Sequence, residues 1–175
     1  MLSAARKEEL FRLAIGYAGR ANATASELHS LVSADLGRPM WWTQNETLPV
    51  TVGIVGEVRL PSGLGIQITT ARCADDPAVV SFVYTHEIGH VLLKHYQEGS
   101  FLYGFYTRRE AEADAFAYAF LYATVEKRCP CGKPLYYQNI YAAMKKIHAQ
   151  DPGFVWPQET RLRDIKVIRT MAGFH

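Results

Sequence analysis

A His-Glu-x-x-His motif, His86–His90, lies inside an apolar, helix-forming run of the sequence. Residues four apart on a helix lie about 40° apart around its axis and about 6 Å apart along it, so both imidazoles can face one metal ion. The carboxylate of Glu87 lies beside the pair, where it can hold a water molecule close to that ion. The motif therefore predicts a helix that carries His86 and His90 as metal ligands and Glu87 as the catalytic base.

Composition is that of a globular protein. The chain has 175 residues, of which 49% are hydrophobic and 21% charged, so we expect one domain over residues 1–175. A net charge of +2 favours neither nucleic acid nor an acidic membrane as partner. No apolar run is long enough for a membrane span, and we find no secretory signal. The three cysteines form no disulfide framework, and together these features predict a cytoplasmic protein.

The N-terminal part of the chain predicts two helices and a loop. Residues 4–20 place their apolar side chains on one face, and Thr24–Glu27 has the capping-box pattern of a second helix. Residues 38–49 are predicted as a loop. In this loop, Trp41 and Trp42 either cap the core or contact a substrate.

A small antiparallel sheet is predicted next. Residues 50–60 and 65–70 are rich in β-branched side chains and flank a Pro61-Ser62-Gly63 turn. Gly53 and Gly56 indicate either a bulge or a close approach of the backbone. Because the second strand leads into the motif helix, we expect an edge strand beside the metal. An extended peptide could add to that edge as a further strand.

The motif helix is predicted to begin at Asp76-Pro77, an N-cap residue followed by proline at the first helical position. It is predicted to end near Glu98. Residues 99–107 then form a loop rich in glycine and aromatic residues. An alanine-rich helix follows, with Thr107 as its N-cap and its end near Arg128.

This second helix offers the third metal ligand. Glu110 and Asp114 lie four residues apart and share one face. Glu110 would complete a three-ligand site for one Zn²⁺ ion with an open fourth position, and Asp114 would accept the N–H of a ligand histidine. Alternatively, Glu110 is the exposed third residue of a capping box after Thr107. Glu112 points about 200° away from Glu110 around the helix and is the weaker candidate.

Three other side chains near the motif have alternative predicted roles. Tyr103 and Tyr106, in the loop, are candidate donors to an oxyanion, with aromatic packing as the alternative. His95 is not spaced as a third histidine ligand, since Tyr96 occupies that position. We expect His95 at the surface or in contact with a ligand residue.

The C-terminal third gives no signal of its own for a second site. Cys129-x-Cys131 lacks the two-residue gap of a zinc knuckle. Residues 137–148 predict an amphipathic helix, and a last helix carries Leu162 and Ile165 on its apolar face. The basic remainder of that helix fits a solvated face better than a nucleic-acid contact.

Two segments together resemble the ImmA/IrrE family of zinc metallopeptidases. The family has a His-Glu-Leu-Gly-His helix followed by Glu-x-Glu-Ala-Asn/Asp-x-Phe-Ala, and this chain has similar residues at 82–95 and 110–117. The resemblance covers roughly residues 50–122. It implies an α+β, zincin-like fold with a thermolysin-like core, mainly helical, with a small antiparallel sheet beside the metal-binding helix.

The same resemblance implies a function. Zinc would sit on His86, His90 and Glu110, with Glu87 catalytic, and the substrate would be a protein such as a helix-turn-helix repressor. The alternative is a zinc-bound regulatory or binding module on the same scaffold, without turnover. The presence of Glu87 favours the peptidase, because a binding module needs no base there. Zinc-dependent hydrolysis of a non-peptide substrate is a third hypothesis.

Overall fold

The computed structural model describes most of the chain up to residue 123 and one position beyond it. The described residues are 2–20, 25–48, 53–71, 76–97, 103–123 and Ala142. The Cys129–Cys131 turn, the last helix and all of the predicted 137–148 helix except Ala142 lie outside them. Those features remain predictions.

Within these residues the fold is α+β, as predicted, with four α-helices and a three-stranded mixed sheet. The elements are α1 (Ala4–Arg20), α2 (Ala25–Leu36), β1 (Met40–Asn45), β2 (Gly53–Leu60), β3 (Gly63–Ala71), α3 (Pro77–Leu92), a 3-10 turn (His95–Gln97) and α4 (Tyr103–Ala123). None of the described helices is both long and apolar enough to cross a membrane.

The sheet has the strand order β1-β3-β2, so among the described residues β3 is central and β2 is an edge strand. β2 and β3 run antiparallel, with the predicted turn at Pro61-Ser62 between them. β1 runs parallel to β3, with Met40 opposite Ile66. The expectation of a purely antiparallel sheet is therefore wrong, and the sheet is mixed.

β1 occupies part of the stretch predicted as a loop, residues 38–49, and that prediction is also wrong. The indole N–H of Trp42 donates to the Thr70 hydroxyl at 2.9 Å, and its ring lies 5.0 Å from that of Tyr84 in α3. Trp42 thus packs at the edge of the core, one of its two predicted roles. A parallel partner lies far along the chain and leaves no hairpin signal in the local sequence, which explains the error.

α3 forms the centre of the described fold, and every residue from Ala78 to Val91 is buried. The sheet packs against it, and Ile66 and Ile68 of β3 are fully buried. Full burial of such a side chain contributes about 1.5–3 kcal/mol. α4 also packs against α3 at Gly89, where a Cβ atom would lie 3.2 Å from the Ala113 Cα. Glycine at this position sets the close spacing of the two helices.

α1 covers α4 and so contributes to the surroundings of the site. Leu10 and Ala14 of α1 are fully buried, and the Tyr17 ring meets Phe116 of α4 edge-on at a centroid distance of 6.5 Å. This packing brings the first turn of α1, with Arg6, against α4.

α3 begins where the sequence predicts but ends earlier than predicted. The Asp76 side chain accepts the Val79 N–H at 3.3 Å and Pro77 is the first helical residue, as predicted. The helix ends at Leu92, however, and not near Glu98. Lys94 has φ 58°, a left-handed conformation that stops the helix, and the 3-10 turn follows. The chain reversal at Lys94 brings His95 back toward α3.

α4 begins at Tyr103, five residues before Arg108, the first helical residue that the predicted N-cap at Thr107 implies. Thr107 is therefore inside the helix and is not its N-cap, and Glu110 is not part of a capping box. The error has a local cause, because Gly104 lowers the helix propensity of this stretch. The predicted end near Arg128 lies beyond the described residues.

Candidate metal centre

Three ligand atoms converge between α3 and α4. The Nε2 atoms of His86 and His90 lie 2.9 Å apart, and the Glu110 carboxylate oxygens lie 3.2 Å from Nε2 of His86 and 3.3 Å from Nε2 of His90. Metal–ligand bonds of 2.0–2.1 Å in a tetrahedral site place the ligand atoms about 3.3 Å apart. The cluster could therefore hold a metal ion, and its donors fit one.

The helix geometry explains this convergence. The four-residue spacing puts both histidines on the same side of α3, as the motif predicts. Gly89, between them, allows α4 to approach closely enough for Glu110 to reach both rings. The side chain of Glu110 is only 18% exposed, which contradicts the alternative of an exposed capping residue.

Asp114 holds the ring of His86. The Nδ1–H of His86 donates to the Asp114 carboxylate at 2.8 Å, and Asp114 is 2% exposed. This hydrogen bond leaves Nε2 of His86 to face the cluster, the arrangement predicted for a ligand histidine. Burial disfavours the charged ring, but the hydrogen bonds to Asp114 and Glu110 outweigh it and raise the pKa of His86 to about 10.

Glu110 supplies negative charge. Burial alone would raise the pKa of Glu110, but hydrogen bonds and charge interactions with His86 and His90 hold that pKa well below its usual value. Glu110 is therefore an anion at neutral pH. Together with Asp114 it gives the cluster two carboxylates, a charge balance suited to a cation.

His90 has a different kind of partner. Its Nδ1 lies 2.9 Å from Nδ1 of His95, and Nε2 of His95 lies 3.2 Å from the carboxylate of Glu112. Burial, the largest cause, lowers the pKa of both His90 and His95. His95 is 8% exposed, so of its two predicted places the contact with a ligand residue is the one observed.

Glu112, predicted as the weaker ligand candidate, is outside the cluster of potential ligands. Burial raises its pKa, but hydrogen bonds from His95, Arg6 and Arg108 together hold that pKa below its usual value. The Nε and Nη2 atoms of Arg6 donate to the two carboxylate oxygens at 3.0 and 2.9 Å. No pattern in the sequence indicated this network, because it depends on the reversal at Lys94.

Glu87 is buried beside the cluster against the start of β2. A Cβ atom at Gly53 would lie 2.6 Å from Cγ and Oε1 of Glu87, so a larger residue there would require the Glu87 side chain to move. Gly53 thus shows the predicted close approach, whereas a Cβ atom at Gly56 would meet nothing within 4 Å. Burial raises the pKa of Glu87 to about 7, with the charge of His86 opposing and that of Glu110 adding to the shift.

A groove of about 440 Å³ opens onto these groups. β2 forms one wall, and Glu87, His90 and Glu110 lie in the groove together with the 3-10 turn and Arg109. Within the described residues β2 pairs only with β3, and Gly53, Val55, Gly56 and Glu57 of β2 line the groove. Tyr96 also lines the groove, a position that sequence analysis did not assign to it.

Tyr103 and Tyr106, the predicted oxyanion donors, lie in the first turn of α4 and not in a loop. Their side chains are outside the described part of the structure, so their role remains a prediction.

Searches of protein families, curated proteins and solved structures found no significant match to this chain.

Proposed function

We propose that this chain is a zinc-dependent endopeptidase with a zincin-like, thermolysin-like core of the ImmA/IrrE kind. One observation carries the proposal: His86, His90 and Glu110 converge beside the buried carboxylate of Glu87, at a groove lined by residues of β2, which is an edge strand among the described residues. Two imidazoles and one carboxylate with an open position form the donor set of the His₂Glu zinc hydrolases.

The donor chemistry favours zinc over a hard cation. Mg²⁺ and Ca²⁺ take mainly oxygen ligands, whereas two neutral imidazoles and one carboxylate suit Zn²⁺. His86, His90 and Glu110 would hold the ion, and Asp114 would keep the His86 ring in the tautomer that leaves Nε2 unprotonated. When bound, zinc would polarise a substrate carbonyl and make a water molecule more acidic.

Glu87 would move the proton. A general base works best with a pKa close to the working pH, and the pKa of Glu87, about 7, meets that condition. Its carboxylate would take a proton from the attacking water and pass it to the leaving amine. Gly53 allows β2 to cover Glu87 closely, which helps to bury the carboxylate and so supports its raised pKa.

The strand edge supports a peptide substrate. An extended chain could pair with the edge of β2 that pairs with no other described strand, through main-chain hydrogen bonds, and present one carbonyl to the centre. We propose a protein partner, such as a helix-turn-helix repressor, on the resemblance in motif. A cytoplasmic location, with no direct contact to nucleic acid or membrane, belongs to the same proposal.

Metal content and cleavage test the proposal together. The wild type, Glu87→Gln and His86→Ala would be analysed for bound metal and incubated with a labelled peptide library and with repressors encoded near this gene. We expect one zinc per chain in the wild type and in Glu87→Gln, much less in His86→Ala, and cleavage by the wild type only.

Two results would overturn the proposal. Undiminished zinc in His86→Ala would refute the site. A wild type that holds zinc and binds a partner without cleaving it, or the library, would leave a zinc-bound regulatory module as the function.

A further inference from the structure

The ring of His90 is connected to α1 through three side chains. Its Nδ1 contacts Nδ1 of His95 at 2.9 Å, and Nε2 of His95 contacts Glu112 at 3.2 Å. Glu112 in turn receives two hydrogen bonds from Arg6 of α1. His95 and Glu112 are both buried, and the side chain of Arg6 is 22% exposed. The path therefore runs through the interior of the protein.

Only one placement of hydrogens on neutral rings satisfies both contacts once His90 binds a metal through Nε2. Nδ1 of His90 then carries a hydrogen and donates it to Nδ1 of His95. His95 must carry its own hydrogen on Nε2, and it donates that hydrogen to Glu112. Each group thus fixes the tautomer and orientation of the one before it.

Glu112 is well suited to anchor this path. Its fork-like pairing with Arg6 is the strongest common form of an arginine–carboxylate contact. Arg108 adds a further bond at 2.9 Å, but its side chain is 61% exposed, so we expect that bond to be weak. Arg6 is therefore the main support of the Glu112 carboxylate.

We propose that His95 and Glu112 are positioning residues that hold the ring of His90 ready for metal, with Arg6 as their anchor on α1. The inference rests on the metal-binding part of the proposed function and does not depend on peptide hydrolysis. Losing a group that orients a metal ligand typically weakens metal binding about 10–100-fold.

Zinc affinity of the purified full chain, measured by competition with a chelating indicator, tests the proposal. We expect Glu112→Ala to raise the zinc Kd about 10-fold or more. Glu112→Gln keeps an acceptor for the Nε2–H of His95, so it should recover much of the loss. Arg108→Ala is the matched control and should change the Kd less than about twofold.

A second measurement separates positioning from folding. The visible absorption of bound Co²⁺ reports the ligand arrangement, so Glu112→Ala should alter that spectrum while Arg108→Ala should not. If Glu112→Ala does not fold, His95→Asn carries the test by the same two measurements. A distorted Co²⁺ spectrum or a weaker Kd in His95→Asn supports the proposal.

Failure of this inference can be distinguished from failure of the proposed metal centre. A wild type that binds zinc normally, with the Kd and the Co²⁺ spectrum unchanged in folded Glu112→Ala and His95→Asn, would overturn this inference alone. A wild type that binds no zinc would overturn the proposed metal centre and this inference with it.

Discussion

The two histidines of the motif lie on one helix, yet they are held in different ways. His86 donates directly to the buried carboxylate of Asp114. His90 reaches a carboxylate only through a second histidine, His95. The first support comes from the same face of α4 as Glu110. The second requires the reversal at Lys94 and the packing of α1 on α4.

This difference shows which part of a metal site local spacing can specify. Asp114 lies four residues after Glu110, so any helix that brings Glu110 to the metal also brings Asp114 close. Glu112 lies on another face of α4 and has no such constraint. The support of His90 is therefore a property of the tertiary fold, and we expect it to be the weaker one.

The largest effect is expected from Asp114→Ala. It leaves the Nδ1–H of His86 without its acceptor in a buried place, so zinc affinity should fall toward the upper end of a range of about 10–100-fold. Asp114→Asn is the control, because its amide oxygen still accepts this hydrogen. Chelator competition measures both. A smaller loss in Asp114→Ala than in Glu112→Ala would reverse the comparison of the two supports.

Gly53→Ala should disturb Glu87, the proposed base, without disturbing the supports of His86 and His90. Its Cβ atom would lie 2.6 Å from Cγ and Oε1 of Glu87 and 2.7 Å from Cγ1 of Val83, so these side chains must shift, whereas no atom of His86 or His90 is among its nearest contacts. We expect peptide cleavage to fall about 10–100-fold with the zinc Kd almost unchanged. Gly56→Ala, which meets nothing within 4 Å, is the matched control on the same strand. Equal cleavage rates in the two variants would contradict the position assigned to Glu87.

The described parts of the fold differ in how much the sequence could predict. The four-residue spacings on α3 and α4 fixed where the side chains of His86, His90 and Glu110 point, and they lie together as expected. The cap at Asp76 was equally local, since a side chain there needs only the N–H groups of the next turn. Such features depend on residues close in the sequence, so they can be predicted without knowledge of the fold.

The features that were predicted wrongly depend instead on residues that are distant in the sequence or on tertiary packing. β1 depends on a parallel partner more than twenty residues later, at Ile66. The early end of α3 depends on Lys94 adopting a left-handed conformation, for which lysine has no intrinsic preference. The burial of His95 follows from that turn. These features are decided by packing between distant segments, and a single sequence carries no periodic signal for them.

The metal-free protein should show the same contrast in its response to pH. The pKa of His86, about 10, lies above the value of about 6.5 for an unfolded histidine. Its stabilising effect is therefore complete below pH ~6.5 and is lost as the pH rises toward 10. The pKa of His90 is lowered instead, so His90 lowers the free energy of unfolding as the pH falls below ~6.5.

We therefore expect the free energy of unfolding of the metal-free chain to fall by several kcal/mol between pH 6.5 and 10, since each unit of the pKa shift of His86 is worth about 1.4 kcal/mol. Urea unfolding at a series of pH values measures this. Asp114→Asn removes the main carboxylate partner of His86 and should flatten the decline. A decline of the same size in Asp114→Asn would show that His86 is not its source.

The smallest effect is expected from replacing arginines on α1. A pair of such variants gives the most specific test of the path from His90 through His95 and Glu112 to α1. Arg6→Ala removes the fork-like pair with Glu112, whereas Arg20→Ala removes a similar pair with Asp35 that joins α1 to α2. Both lose an arginine–carboxylate pair from the same helix, but only Arg6 is connected to His90. We expect Arg6→Ala to weaken zinc binding about three- to tenfold and Arg20→Ala to leave it unchanged. If both variants lost affinity equally, the cause would be general loosening of α1, and the connection from α1 to the metal centre would not exist.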